Sequence, residues 1–141
     1  GEFYDPEKNE WISISSMKAA STNSGAAALH GEIYLVGGYV NVRGSPSNML
    51  QKYTPVSDKW TQLKSMIHPR SCPIVTASGD KLFVCGSWLP PSASKHVLFM
   101  DRYNPDTDTW VQLETMRELP NDPIFFSVPI PASFPTPNVE V

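Results

Sequence analysis

The chain has 141 residues, 18% of them charged, and a formal net charge of −3. That length suffices for a domain with a real core. With no basic stripe or Lys/Arg run, nucleic acid and anionic membrane are poor partners, and no stretch approaches the ~20 apolar residues of a membrane span.

Strand signals dominate. The opening half-unit carries Tyr4-Asp5-Pro6, Trp11 and Met17. Residues 25–29, Gly-Ala-Ala-Ala-Leu, are small and apolar and are bounded by His30-Gly31, which suits a strand at the crowded centre of a radial array. Residues 33–36, Ile-Tyr-Leu-Val, form a β-branched and aromatic run that predicts a strand buried on both faces. It ends in Gly37-Gly38, where a missing Cβ allows close backbone approach or positive φ. A loop over 39–48 leads to a third strand over 49–53. In the turn at 54–58, Pro55 presets φ and Asp58 is placed to bond local backbone. A fourth strand spans 60–63.

The next unit runs the same way. A strand over 74–77 meets a turn at Ser78-Gly79-Asp80, and a strand over 82–86 aligns Cys85 on Gly37. A loop over 87–95, a strand over 96–103, a turn at Pro105-Asp106 and a strand over 110–113 complete it. No segment sustains a 3.6-residue period, and 14 prolines break most windows long enough for a helix. Residues 117–141 are Pro-rich, and within them 124–128 (Ile-Phe-Phe-Ser-Val) suit the start of a further unit.

One motif therefore recurs. Tyr4, Tyr53 and Tyr103, with Trp11, Trp60 and Trp110 and with Met17, Met66 and Met116, step by 49 and then 50 residues. Four short strands in a period near 50 residues describe a propeller blade. The series Gly31…Ile33-Tyr34…Gly37-Gly38…Tyr53-x-Pro55…Trp60…Met66 resembles the kelch repeat over about residues 2–116. The resemblance implies an all-β fold, a partial kelch β-propeller of four-stranded antiparallel blades numbering about two and a half. Residues 1–17 are then the second half of a blade, 18–66 and 67–116 full blades, and 117–141 a divergent tail. The chain reads as a piece of a longer array; alone, its uncovered blade faces predict marginal stability, self-association or chaperone binding, and fusion to the remaining blades is the expected context.

The recurring aromatics are expected to pack blades together, so function is sought where the repeats differ. In kelch propellers the inter-blade loop and the long loop after the glycines share a partner-binding face. That places Ser21, Asn23, Arg70 and Ser71 from the inter-blade loops beside Arg43, Asn48, Trp88, Lys95 and His96 from the long ones. Arg43 and Arg70 are suited to fork onto a partner's carboxylate, and Trp88 to anchor an interface. The competing role for Arg70 is to support its own loop. Repeat length and layout look closest to the BTB–Kelch proteins, which implies a protein-binding, substrate-recognition module of a cullin-RING ubiquitin ligase adaptor in the cytoplasm. The alternatives are an actin-binding cytoskeletal kelch protein and a kelch-scaffold metalloenzyme. The enzyme is disfavoured because His30, His68 and His96 fall at unrelated places in the repeat; no cofactor or metal is expected. Cys72 and Cys85, on predicted adjacent strands, are expected as reduced, buried thiols.

Overall fold

The computed structural model describes residues 1–40, 44–88 and 97–116. Strands β1 (Glu2–Asp5) and β2 (Glu10–Ser13) pair as an antiparallel ribbon, the half-blade. The middle blade is a four-stranded meander of β3 (Gly25–Leu29), β4 (Glu32–Val36), β5 (Leu50–Thr54) and β6 (Lys59–Leu63). The last blade repeats it with β7 (Ile74–Ser78), β8 (Lys81–Trp88), β9 (Val97–Asn104) and β10 (Thr109–Met116). A one-turn 3-10 segment at Pro55–Ser57 is the sole helical element among the described residues. The expectation for the tail, residues 117–141, lies outside the described residues.

The core lies between the two full blades. Tyr34, Val36 and Leu50 on one face of the middle blade meet Val75, Leu82, Val84 and Tyr103 of the last blade, all buried. Removing these side chains from water is the main force holding one sheet on the next. The first strands of the two blades run against each other. A Cβ at Gly25 would fall 2.4 Å from the Pro73 carbonyl oxygen, so the small residues of β3 meet a steric requirement of that junction.

Two expectations change. Strand β4 is not buried on both faces: Ile33 is 41% exposed and Leu35 half-buried, since among the described residues no strand beside β1 covers them. The second change is in alignment. Cys85 faces Ile74 across the ladder as Val36 faces Gly25, so Gly86 matches Gly37, and it is Gly38 that is replaced, by Ser87. The two-residue turns at His30-Gly31 and Gly79-Asp80 fix this register.

A repeated grip joins consecutive blades. Asp58 sits in the left-handed region (φ 48°), where its carboxylate accepts from the Tyr53 hydroxyl at 2.9 Å and from the backbone N–H of Ser15 at 2.8 Å. The Trp60 indole N–H donates to the carbonyl of that same Ser15 at 3.0 Å. Fifty residues on, Asp108 (φ 49°) accepts from Tyr103 at 2.7 Å and from the Lys64 N–H at 2.9 Å, while Trp110 donates to the Lys64 carbonyl at 2.7 Å. Each tryptophan leans on its tyrosine, with ring centroids 5.1 Å and 4.9 Å apart. Asp58 thus reaches 43 residues away as well as bonding locally. The recurring aromatics hold one blade to the next, as expected from their recurrence.

Two outcomes test the grip. Trp60→Phe and Trp110→Phe, which remove the indole donor together with part of the ring, should each lower stability by at least about 0.5–1.5 kcal/mol in urea titrations. The bonds from Ser15 and Tyr53 hold the Asp58 carboxyl below its ordinary value of 3.8. Its contribution is therefore present above that value and lost as pH falls through the lower folded value. Asp58→Asn should melt below the parent at pH 7, and the gap should close in melting curves taken at decreasing pH below about 4.

Candidate functional site

The meander sends its connections to two unlike ends. One end carries tight turns, where Asn9, His30, Gly31, Asp58, Gly79 and Asp108 take positive φ. The other end carries the inter-blade loops before β3 and β7 and the long loops after β4 and β8.

At the loop end, backbone bonds knit the first inter-blade loop, the long loop of the middle blade and the second inter-blade loop. Thr22 and Tyr39 exchange N–H···O bonds of 3.0 and 2.8 Å, the Gly38 N–H reaches the Arg70 carbonyl at 2.9 Å, and the Arg70 N–H reaches Ser47 O at 2.9 Å. Only glycine permits this approach at Gly38: with φ at 87°, a Cβ would lie 2.4 Å from the Thr22 carbonyl oxygen. Ser21 donates to the Gly37 carbonyl at 2.7 Å, and Asn48 donates to Met66 O at 3.1 Å. These two expected partner-binding residues are half-buried and brace the loops. Asn23 is exposed and Ser71 half-exposed at the same end. Val40 and Ile67, 47% and 58% exposed, add apolar surface that the sequence reading did not single out.

Arg70 sits at the centre of this end with no exposed surface. Its guanidinium donates to the Val84 carbonyl at 3.0 Å, forms an ion pair with Asp101, and lies 5.9 Å from the Phe99 ring centroid. Burial draws the Arg70 pKa down, and the Asp101 carboxylate opposes that shift. The expectation that Arg70 forks onto a partner's carboxylate gives way: a carboxylate of its own chain occupies it, and it supports its loop. Asp101 went unnoticed in the sequence, as did Gln51 at the same ladder position two residues before the repeated tyrosine. The buried Gln51 amide clips Ala19 of the preceding loop, accepting from its N–H at 3.3 Å and donating to its carbonyl at 3.0 Å. A polar residue at tyrosine minus two in both blades was the available signal.

Arg43, Lys95 and His96 lie outside the described residues, as does the side chain of Trp88, whose backbone ends β8. Neither thiol is fully buried. Cys72 is exposed because β7 begins only at Ile74, while Cys85 is half-buried on the last blade's outer face, where burial pushes its thiol pKa up. Among the described residues no three His, Cys, Asp or Glu side chains converge on a metal-sized site, and no helix is long and apolar enough to cross a membrane.

The Kelch motif family model matches residues 20–67, which span the middle blade and the glycine pair. The chain is a kelch-repeat protein, related to the BTB–Kelch family. Human Kelch-like protein 23 is 35% identical over 86 residues, covering 60% of this kelch chain and 15% of that protein. Kelch repeat and BTB domain-containing protein 1 of cowpox virus is 35% identical over 79 residues, 54% of this chain and 14% of that protein. Kelch-like ECH-associated protein 1A of Danio rerio is 37% identical over 73 residues, 50% of this chain and 12% of that protein. The kelch chain thus spans 12% to 15% of the length of these curated relatives. Kelch repeats are protein-interaction modules.

The buried ion pair makes a clear prediction. Arg70→Met strands Asp101 and should cost about 3–5 kcal/mol, whereas Arg70→Met with Asp101→Leu should recover most of that loss. Chemical denaturation of the two variants beside the parent measures both.

Proposed function

We propose that the chain is the substrate-recognition part of a BTB–Kelch adaptor, presenting its loop end to a protein partner destined for a cullin-RING ubiquitin ligase. The observation that carries this reading is the contrast between the two ends. One is a set of tight turns. The other, among the described residues, is irregular backbone braced from beneath by Arg70 and the glycine pair, with inter-blade loops that differ in sequence between the repeats. Rigid support under variable side chains suits selective recognition. On this reading Asn23, Ser71, Val40 and Ile67 face the partner, Ser21 and Asn48 hold the frame, and Arg43, Trp88, Lys95 and His96 belong by sequence position. The ligase role draws on the relatives, one of which carries a BTB domain in its name. The cullin would be engaged through domains beyond these repeats.

Affinity capture tests the reading. The chain should enrich a defined protein set that Asn23→Glu with Ser71→Glu reduces at least about tenfold. Val56→Glu, at a residue 99% exposed on the turn end, should leave capture intact. Joined to a BTB domain, the chain should then drive ubiquitin onto the captured protein. Capture unaffected by the loop substitutions would overturn the choice of end, and enrichment of actin with no ubiquitin transfer would favour the cytoskeletal reading.

A further inference from the structure

The loops that meet at the loop end differ in charge from the opposite end. Segments 14–24, 37–49 and 64–73 contain no Asp or Glu, yet they carry Lys18, Arg43, Lys64, His68 and Arg70. The turn-end connections and their flanks hold Asp5, Glu7, Asp58, Asp80, Asp106 and Asp108. Asp101, which lies beneath the loops, is buried and paired with Arg70.

The serines of these loops have different duties. Ser21 and Ser24 both donate to the Gly37 carbonyl, at 2.7 and 3.0 Å. Ser47 is buried, and its hydroxyl accepts from the Met49 N–H at 3.1 Å. Ser45 stands apart: it is exposed, and so is Pro46 after it. A residue before proline is biased to extended backbone, and proline has no N–H that needs a partner. The Ser45 carbonyl takes the Val40 N–H at 3.4 Å, beyond the usual hydrogen-bond range, whereas the Ser47 N–H meets the Gly38 carbonyl at 2.7 Å. Lifting Ser45 outward breaks a weak bond and leaves the strong one in place. Thr54-Pro55 is the contrasting pair: Thr54 is half-buried, and its hydroxyl donates to Glu32 at 2.8 Å.

We infer that Ser45 is a phosphorylation site for a proline-directed serine kinase, and that its phosphate acts as a charge switch on the loop end. In the reaction the Ser45 Oγ attacks the γ-phosphorus of ATP and its proton passes to the kinase's catalytic base. The bond from that phosphorus to the departing ADP breaks. The product places a charge of about −1.5 to −2 at pH 7 among loops whose sequence supplies only cations. Such a face favours a partner surface rich in Asp and Glu, and the phosphate repels that surface. The switch rests on the loop-end reading of the partner site; the modification itself does not.

The intact chain, incubated with magnesium-ATP and a proline-directed kinase of the mitogen-activated class, tests the site. Fragmentation mass spectrometry should place one phosphoryl group on Ser45 and leave Thr54 unmodified. No phosphate on Ser45, or as much on Thr54, overturns the site, because presentation by the fold would then select nothing. Ser45→Ala should abolish uptake at this loop. Pro46→Ala should do the same with the hydroxyl still present, and uptake by that variant overturns the proline-directed assignment. In affinity capture the phosphorylated chain should hold the enriched proteins at least about tenfold more weakly than the untreated chain. Kinase treatment should not change capture by Ser45→Ala. Capture that survives phosphorylation but still falls with Asn23→Glu and Ser71→Glu overturns the switch and spares the loop-end reading. Capture that neither phosphorylation nor those substitutions reduce overturns both.

Discussion

Ser15 and Lys64 leave the fourth strand of a blade with backbone groups that no further strand of their own sheet can satisfy. The next blade takes both groups of the same residue: an aspartate held in the left-handed conformation accepts the N–H, and a tryptophan donates to the C=O. The tyrosine of the motif bonds that aspartate and supports the indole ring, so all three recurring side chains serve one task. Apolar burial supplies most of the adhesion between sheets, but it is non-directional and would tolerate sliding. Two hydrogen bonds to one residue fix the offset. The pairing of Tyr34, Val36 and Leu50 with Leu82, Val84 and Tyr103 depends on that offset.

The loop end is secured by different means. There the chain must bring three irregular segments together without a ladder, and their polar groups still need partners. The glycine pair lets backbone meet backbone. Beneath it a side chain at tyrosine minus two reaches the preceding loop, as Gln51 to Ala19 in the middle blade and as Asp101 to Arg70 in the last. The second version places a charge pair out of water, which is costly unless both partners remain. Surface and support are thus divided: buried groups hold the frame, and exposed ones are free to differ.

Much of this was legible in the sequence because a period is robust to local error. Three copies of Tyr, Trp and Met in register gave the blades, and the strands fell within a residue or two of their expected places in the middle blade. Local patterns misled where tertiary context decides. The run at 33–36 looked doubly buried, yet which face is covered depends on the neighbouring sheet. Cys85 looked like the stand-in for Gly37 until the turn at Gly79-Asp80 shifted the register by one. Arg70 looked like a hook for a partner; nothing local showed that Asp101, 31 residues on, would be brought beneath it. Asp58 was read as a turn residue, and its second role became visible only when a distant backbone arrived.

The grip closes on backbone alone. A serine occupies it once and a lysine once, one side chain neutral and short and the other long and charged, and the bond lengths hardly change. The grip itself therefore carries no residue code, and what the seam asks of particular side chains lies in its apolar faces and in Gly25 beside Pro73. A blade exchanged along such an array keeps its offset through the grip, so only the packed faces have to be matched.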